Sequence, residues 1–243
     1  MMKKFLCVAS AVMVMSVFAD APAPVAEFKF NEGDLQAVKC TNPAVTIKAG
    51  NTANLGWGEG RLDGKAVEFK NNFPNKKRGG MGYFGIPQWG SKLNQPFTIT
   101  VGVKMDAQCK KNGPQYTVFS TAKGDYGPGI RLFYSWGSYR LMMVGNGTAK
   151  GYKTIATSTS KQPFDAKAWN HLAATYDGSK VSLYINGTLV GSVDFQIIPG
   201  TNYINIGSYS NGFAYGFLGW MQDFKIYNAA LTAEQVLAES QAE

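Results

Sequence analysis

The sequence has one histidine, three cysteines, and no apolar run longer than the 14 residues from Phe5 to Phe18. A membrane-spanning helix needs about 20 apolar residues, so the chain is not membrane-spanning. His171 has no second histidine to join it and no C-x-x-C pair occurs, which argues against a zinc centre. There is no Gly-x-Ser-x-Gly elbow for a nucleophilic serine and no phosphate-binding loop. Acidic residues are also scarce: 16 Asp and Glu stand against 24 Lys and Arg, a net charge of +8. That balance favours polyanionic partners. With no nucleic-acid reading module in sight, it points to acidic polysaccharide or an anionic surface and not to nucleic acid.

The apolar run follows Lys3 and Lys4 and precedes the small-x-small triplet Ala19-Asp20-Ala21. This is the pattern of a secretory signal peptide over residues 1–21, with the mature chain, 22–243, as a single domain that is secreted, periplasmic or extracellular. Cys7 leaves with the leader, and in an oxidising compartment the remaining Cys40 and Cys109 are expected to form one disulfide; the alternative is two buried free thiols.

Glycine, at 28 residues, punctuates many short segments rich in β-branched and aromatic residues, the pattern of an all-β sandwich. Strands are expected at Ala26–Phe30, Ala66–Phe69, Phe97–Met105, Tyr116–Ala122, Ile130–Tyr134, Tyr139–Val144, Trp169–Tyr176, Val181–Ile185, Thr188–Phe195, Tyr203–Ile206 and Phe217–Tyr227. Strict alternation in Phe97-Thr98-Ile99-Thr100-Val101 commits one face to a core. Asp177-Gly178-Ser179 and Asn186-Gly187 are hairpin turns, the second of the kind that needs positive φ. The Asn146-Gly147-Thr148 and Asn186-Gly187-Thr188 sequons coincide with such turns. Thr232 and Gln235 form a capping box before a short helix that Leu231, Val236 and Leu237 must anchor.

Trp169-Asn170-His171-Leu172-Ala173-Ala174-Thr175-Tyr176-Asp177-Gly178 with Leu183-Tyr184-Ile185-Asn186-Gly187 resembles the central hairpin of laminin-G-like domains of the concanavalin A-like superfamily. Phe217-Leu218-Gly219-Trp220-Met221-Gln222-Asp223 resembles that family's closing strand, and Gly64-Lys65-Ala66-Val67-Glu68-Phe69 an earlier one. The resemblance implies a jelly-roll β-sandwich of two antiparallel sheets with a short C-terminal helix. It also implies a structural calcium ion near the closing strand, at Gln222 and Asp223, with Asn31-Glu32-Gly33-Asp34 as a source of partner oxygens. Gln222 stands where the family commonly has an aspartate, and a neutral amide is the weaker donor.

The glycosidases of this architecture commonly carry Glu-x-Asp-x-x-Glu, which is absent here. Its lyases use a His and a Tyr with an Arg, a set for which His171, Tyr176, Arg131 and Arg140 are available. A structural role for His171 at the start of a strand is the better reading. Aromatics in turn-rich segments, interleaved with Asn, Ser and Gly, have the composition a glycan site needs, because ring faces stack on sugars while amides and hydroxyls bind their OH groups. Trp136, Tyr139, Tyr209 and Tyr215 are the ligand-binding candidates. The expected function is non-catalytic binding of a polysaccharide or glycosylated surface. The alternatives are a polysaccharide lyase or glycoside hydrolase, and a structural protein-binding surface component.

Overall fold

In the computed structural model, which describes residues 20–61, 64–72, 79–122, 127–145, 151–157 and 164–242, the alternating segments become two antiparallel sheets. The signal-peptide run, the consecutive basic residues Lys76, Lys77 and Arg78, and the Asn146 sequon lie outside the described residues. The first sheet runs β13 (Thr188–Asp194), β12 (Lys180–Ile185), β11 (Asn170–Tyr176), β6 (Phe97–Met105), β15 (Leu218–Tyr227), β4 (Lys65–Lys70) and β3 (Leu55–Glu59), with β1 (Ala26–Phe28) also paired to β15. The second runs β10 (Tyr152–Ala156), β9 (Ser138–Val144), β8 (Gly129–Ser135), β7 (Tyr116–Ser120), β14 (Tyr203–Ile206), β5 (Tyr83–Pro87) and β2 (Lys48–Gly50). Both sheets supply one apolar cluster between them, as the period-2 pattern requires. All eleven expected strands form, within two residues at either end; β2, β3, β5 and β10 are additional.

Aromatic rings stitch the layers together. Phe69 meets Phe217 edge-on at 5.8 Å and Phe84 at 6.1 Å, and Phe119 meets Phe224 at 6.1 Å. Each such ring contributes roughly 1.5–3 kcal/mol by burial. Gly207 is fixed by this packing: its φ is +79°, and an added Cβ would lie 1.9 Å from the Phe69 ring.

The hairpin β11–β12 closes on Asp177, whose Oδ1 accepts from the backbone N–H groups of Ser179 and Lys180 at 2.8 and 2.7 Å; these bonds hold its carboxyl below the usual range. At the other end Asn186, at φ +48°, accepts from His171 N–H at 2.8 Å and returns its own N–H to the His171 carbonyl at 2.7 Å. The C-terminal helix α1 (Ala233–Gln241) begins with the expected capping box and buries Val236, as Leu231 is buried just before it. Leu237 is exposed instead, and lies over Gly187. Segment and helix together cover the outer side of the first sheet, where Thr98 Oγ1 bonds both Ala229 O and Leu231 N–H at 2.8 Å. Strand β6 is therefore buried on both faces.

The expected disulfide is absent: Cys40 and Cys109 are separate free thiols. Cys109 Sγ donates to Leu218 O at 3.2 Å, at the start of β15, while Thr41 N–H bonds Glu27, which faces Lys225 toward the far end. At roughly 3.3 Å per residue those points are about 20 Å apart, whereas bridged cysteines need Cα atoms within about 7 Å. Burial pushes the Cys109 thiol up to about 12.

Candidate functional site

The outer face of the second sheet is built differently from that of the first. Register places Thr154, Met142, Arg131, Ser120, Asn205 and Gly85 in one row across β10, β9, β8, β7, β14 and β5, all pointing away from the core. Arg140 and Phe133 face each other in the next row. The two-residue turn of the β8–β9 hairpin is Trp136-Gly137, at φ +49° and +72°, which throws the Trp136 indole outward to 57% exposure. The Arg140 guanidinium lies 5.0 Å from that ring's centre, and its Nε donates to Ser135 O at 3.3 Å.

A returning loop closes one side. Tyr209 bridges to Ala214, and Thr117 N–H donates to Tyr215 O at 2.9 Å, which fixes both tyrosines over β7 and β8. Their rings are 5.8 Å apart, and Arg131 is held among them: its guanidinium is 4.7 Å from Phe133, 5.1 Å from Tyr215 and 5.4 Å from Tyr209. Cation–π contacts of this kind are worth about 2 kcal/mol or more when desolvated, and Arg131 is only 3% exposed.

Between hairpin and loop is a cleft of about 240 Å³ lined by Gln115, Arg131, Phe133, Trp136, Arg140, Met142, Tyr152, Thr154 and Tyr215. Among the described residues, two arginines and no carboxylate are in that lining. Gln115 Oε1, Thr117 Oγ1 and Ser135 Oγ, all on the same side of this sheet, are buried with no hydrogen-bond partner among the described residues.

Of the four aromatic candidates, Trp136 and Tyr215 line the cleft. Tyr209 does not: it is buried against Ala122 and Ala214 and supports Arg131 from behind. Tyr139 is not at the surface, because the second position after the turn faces inward; it is fully buried between Tyr134 and Phe164, and burial pushes its phenol far above the ordinary range. Gln115 escaped the sequence reading, Tyr152 entered it only as one of the aromatics in turn-rich segments, and Arg131 and Arg140 only as lyase candidates. The other loop aromatics disperse: Trp89 sits beside Lys92 in a separate groove, and Trp220 beside Lys104 on the first sheet.

The lyase set does not assemble. His171 and Tyr176 lie on β11 with side chains on opposite faces, and Arg131 and Arg140 are on the other sheet. His171 is 7% exposed, and burial, with Arg61 and Lys225 nearby, lowers it to about 4, so it is neutral at ordinary pH.

Gln222 and Asp223 do not fit a calcium ion, which needs six to eight oxygens. Gln222 Oε1 accepts from Arg61 N–H at 2.8 Å, and the Arg61 guanidinium donates to Ser240 O at 2.7 Å, so a cation occupies the neighbourhood. Asp34 Oδ1 is used within its own turn by Gln36 N–H at 3.0 Å. Among the described residues no three acidic, histidine or cysteine side chains converge as a metal would require.

A family model described as the concanavalin A-like lectin/glucanases superfamily, Laminin_G_3, matches residues 78–237. No curated protein sequence matches the chain. Similar solved structures include domain 4 of AbnA, a GH43 extracellular arabinanase from Geobacillus stearothermophilus in complex with arabinotriose. It is 22% identical with a TM-score of 0.62, over 90% of this chain and 98% of that one. The botulinum neurotoxin serotype D binding domain is 12% identical at TM-score 0.65, over 90% of this chain and 52% of that one. The serotype D ligand binding domain in complex with N-acetylneuraminic acid is 14% identical at TM-score 0.65, over 90% and 51%. The chain thus spans about half the length of the toxin domains it resembles.

Proposed function

We propose, for a chain that belongs to the concanavalin A-like lectin/glucanases superfamily, that this protein binds a glycan without catalysis, through the cleft on the outer face of its second sheet. One observation carries the reading: Trp136, Tyr152 and Tyr215 converge there with Arg131 and Arg140, while no carboxylate lines the cleft among the described residues. Aromatic faces with a few fixed polar groups are how sugar rings are held. Hydrolysis would require two facing carboxylates about 5–9 Å apart, and the described lining supplies none. The arginines, with the overall basic charge, favour an acidic polysaccharide or a glycosylated surface outside the cytoplasm. The two sugar-bound neighbours, one with arabinotriose and one with N-acetylneuraminic acid, are consistent with such use of the fold and are no guide to the particular sugar.

A glycan array read against wild type and Trp136→Ala tests this. Retention of at least one glycan by the wild type, lost in the variant, is expected. Failure to bind any glycan, or equal binding by the variant, overturns the site. New reducing or unsaturated ends after incubation with a bound polymer would overturn the non-catalytic reading.

A further inference from the structure

We infer that the cleft is a one-ring seat for a carboxylated sugar, in which Arg140 takes the carboxylate and Gln115 takes ring hydroxyls. The inference rests on the glycan-binding reading and names the ligand class within it. Size is the first argument. At about 240 Å³ the cleft falls below the roughly 300–1,000 Å³ of ordinary small-molecule sites, which leaves room for one ring and not for a length of polymer.

The second argument is the division of labour between the two arginines. Arg131 is buried and wedged among three rings, so its charge is fixed in the floor. Arg140 is half-buried at the rim, and its Nε is anchored on Ser135 O, leaving the terminal nitrogens with no partner among the described residues. Two parallel N–H groups on a held guanidinium match the two oxygens of a carboxylate.

The third argument separates a sugar acid from a bare anion. Gln115 lines the cleft, and its Oε1 is a buried acceptor with no partner among the described residues; a buried polar atom left so costs about 1–3 kcal/mol. Sulfate offers no donor to it at neutral pH, whereas a ring hydroxyl does. The Thr154 side chain, also in the lining, adds a hydroxyl able to donate or accept. A ligand with both an anionic group and several OH donors fits all of these; one with only the first does not.

Isothermal titration with oligosaccharides of glucuronate, galacturonate, mannuronate and N-acetylneuraminate, one to six units long, and with their methyl esters, tests this. At least one acid should bind with an affinity that changes less than about threefold beyond the dimer. Its methyl ester should bind at least tenfold more weakly. Arg140→Lys should not restore the loss seen in Arg140→Ala, because an ammonium lacks the paired donors, and Gln115→Ala should weaken the sugar acid tenfold at a melting temperature no lower than that of the wild type. Equal binding of acid and ester would overturn the carboxylate seat while leaving glycan binding intact. Affinity that climbs steadily to the hexamer would overturn the one-ring seat. Binding of none of these sugars by a protein that does retain a neutral glycan on the array overturns this inference alone; no binding in either assay overturns the parent reading as well.

A different observation, at the amino-terminal end, supports a second inference: the export cut falls between Ala19 and Asp20 and not after Ala21. Ala21 packs against the cluster of Tyr184, Tyr227, Leu231 and Val236, and the Asp20 carbonyl accepts from Gln235 Nε2 at 3.1 Å, so both residues belong to the fold. A cut after Ala21 would strip them away and would place Pro22, with no N–H and a fixed φ, directly beyond the broken bond. Val17-Phe18-Ala19 supplies an equally small-x-small site two residues earlier. The intact mass of protein recovered from a bacterial periplasm should correspond to a chain beginning at Asp20, and Ala19→Arg should block processing while Ala21→Arg does not. A chain beginning at Pro22, or one retaining residues 1–19, would overturn it.

Discussion

His171 and Arg131 occupy matching places on the two outer faces of the sandwich, each buried on a central strand, and the two faces treat them in opposite ways. On the first sheet, α1 and the segment before it close over the surface. His171 is left beside Arg61 and Lys225 with its Nδ1 unpartnered among the described residues, and it gives up its charge. On the second sheet no helix returns among the described residues. A loop and a hairpin stand on either side of Arg131, whose guanidinium does not lose its proton in a protein, and three aromatic rings line its flanks. One face is closed to support the fold, and the other is left open with its charge intact.

The largest effect should come from reopening the closed face. Val236→Asp places a carboxylate where the side chain is fully buried and should cost more than about 4 kcal/mol in urea unfolding, enough to detach α1. The matching change on the open face, Trp136→Asp, should stay within about 0.5 kcal/mol. Similar costs for the two would dissolve the contrast.

Acid is the next way to break it. The folded His171 titrates at about 4 and the free side chain at 6.5, so between those values the unfolded chain binds the extra proton. Stability is therefore full above pH 6.5 and falls by about 1.4 kcal/mol for each pH unit down to about pH 4. In His171→Gln the slope between pH 6.5 and 4.5 should flatten. Glycan affinity, which depends on arginines, should not follow that slope.

The strands were legible in the sequence wherever alternation ran unbroken, as in Phe97–Met105 and Tyr203–Ile206. Strands β2, β3 and β5 were not, because they read as turns: Lys48–Gly50, Leu55–Glu59 and Tyr83–Pro87 carry glycine or proline that the sequence marks as punctuation. In β3 the reason appears only in three dimensions, since a Cβ on Gly58 would lie 2.1 Å from the Trp220 indole nitrogen. Of the four aromatic candidates, Trp136 and Tyr215 line the cleft. Trp136 stood in a turn and is exposed; Tyr139, three residues on, lies on the inward side of β9, a distinction that depends on a one-residue phase. Cys40 and Cys109 show the same limit, because a count of thiols says nothing about the 20 Å between two ends of a strand. Arg131 and Arg140 came together through pairing of β8 with β9, which composition does not encode.

A smaller effect would sharpen the account of the closed face. Because Gln222 already serves Arg61, millimolar calcium or a chelator should leave the melting temperature unchanged. A rise of several degrees on adding calcium would mean that Gln222 and Asp223 hold the ion after all.

The central claim, that the open face is the binding face, is tested most directly by one titration: the glycan retained best on the array, against wild type, Trp136→Ala and Arg140→Ala, with unfolding curves recorded for all three. Loss of at least tenfold in affinity for each variant, about 1.4 kcal/mol, with unfolding midpoints unmoved, is the predicted result. Unchanged affinity in both variants would place the glycan elsewhere on the sandwich and contradict the account.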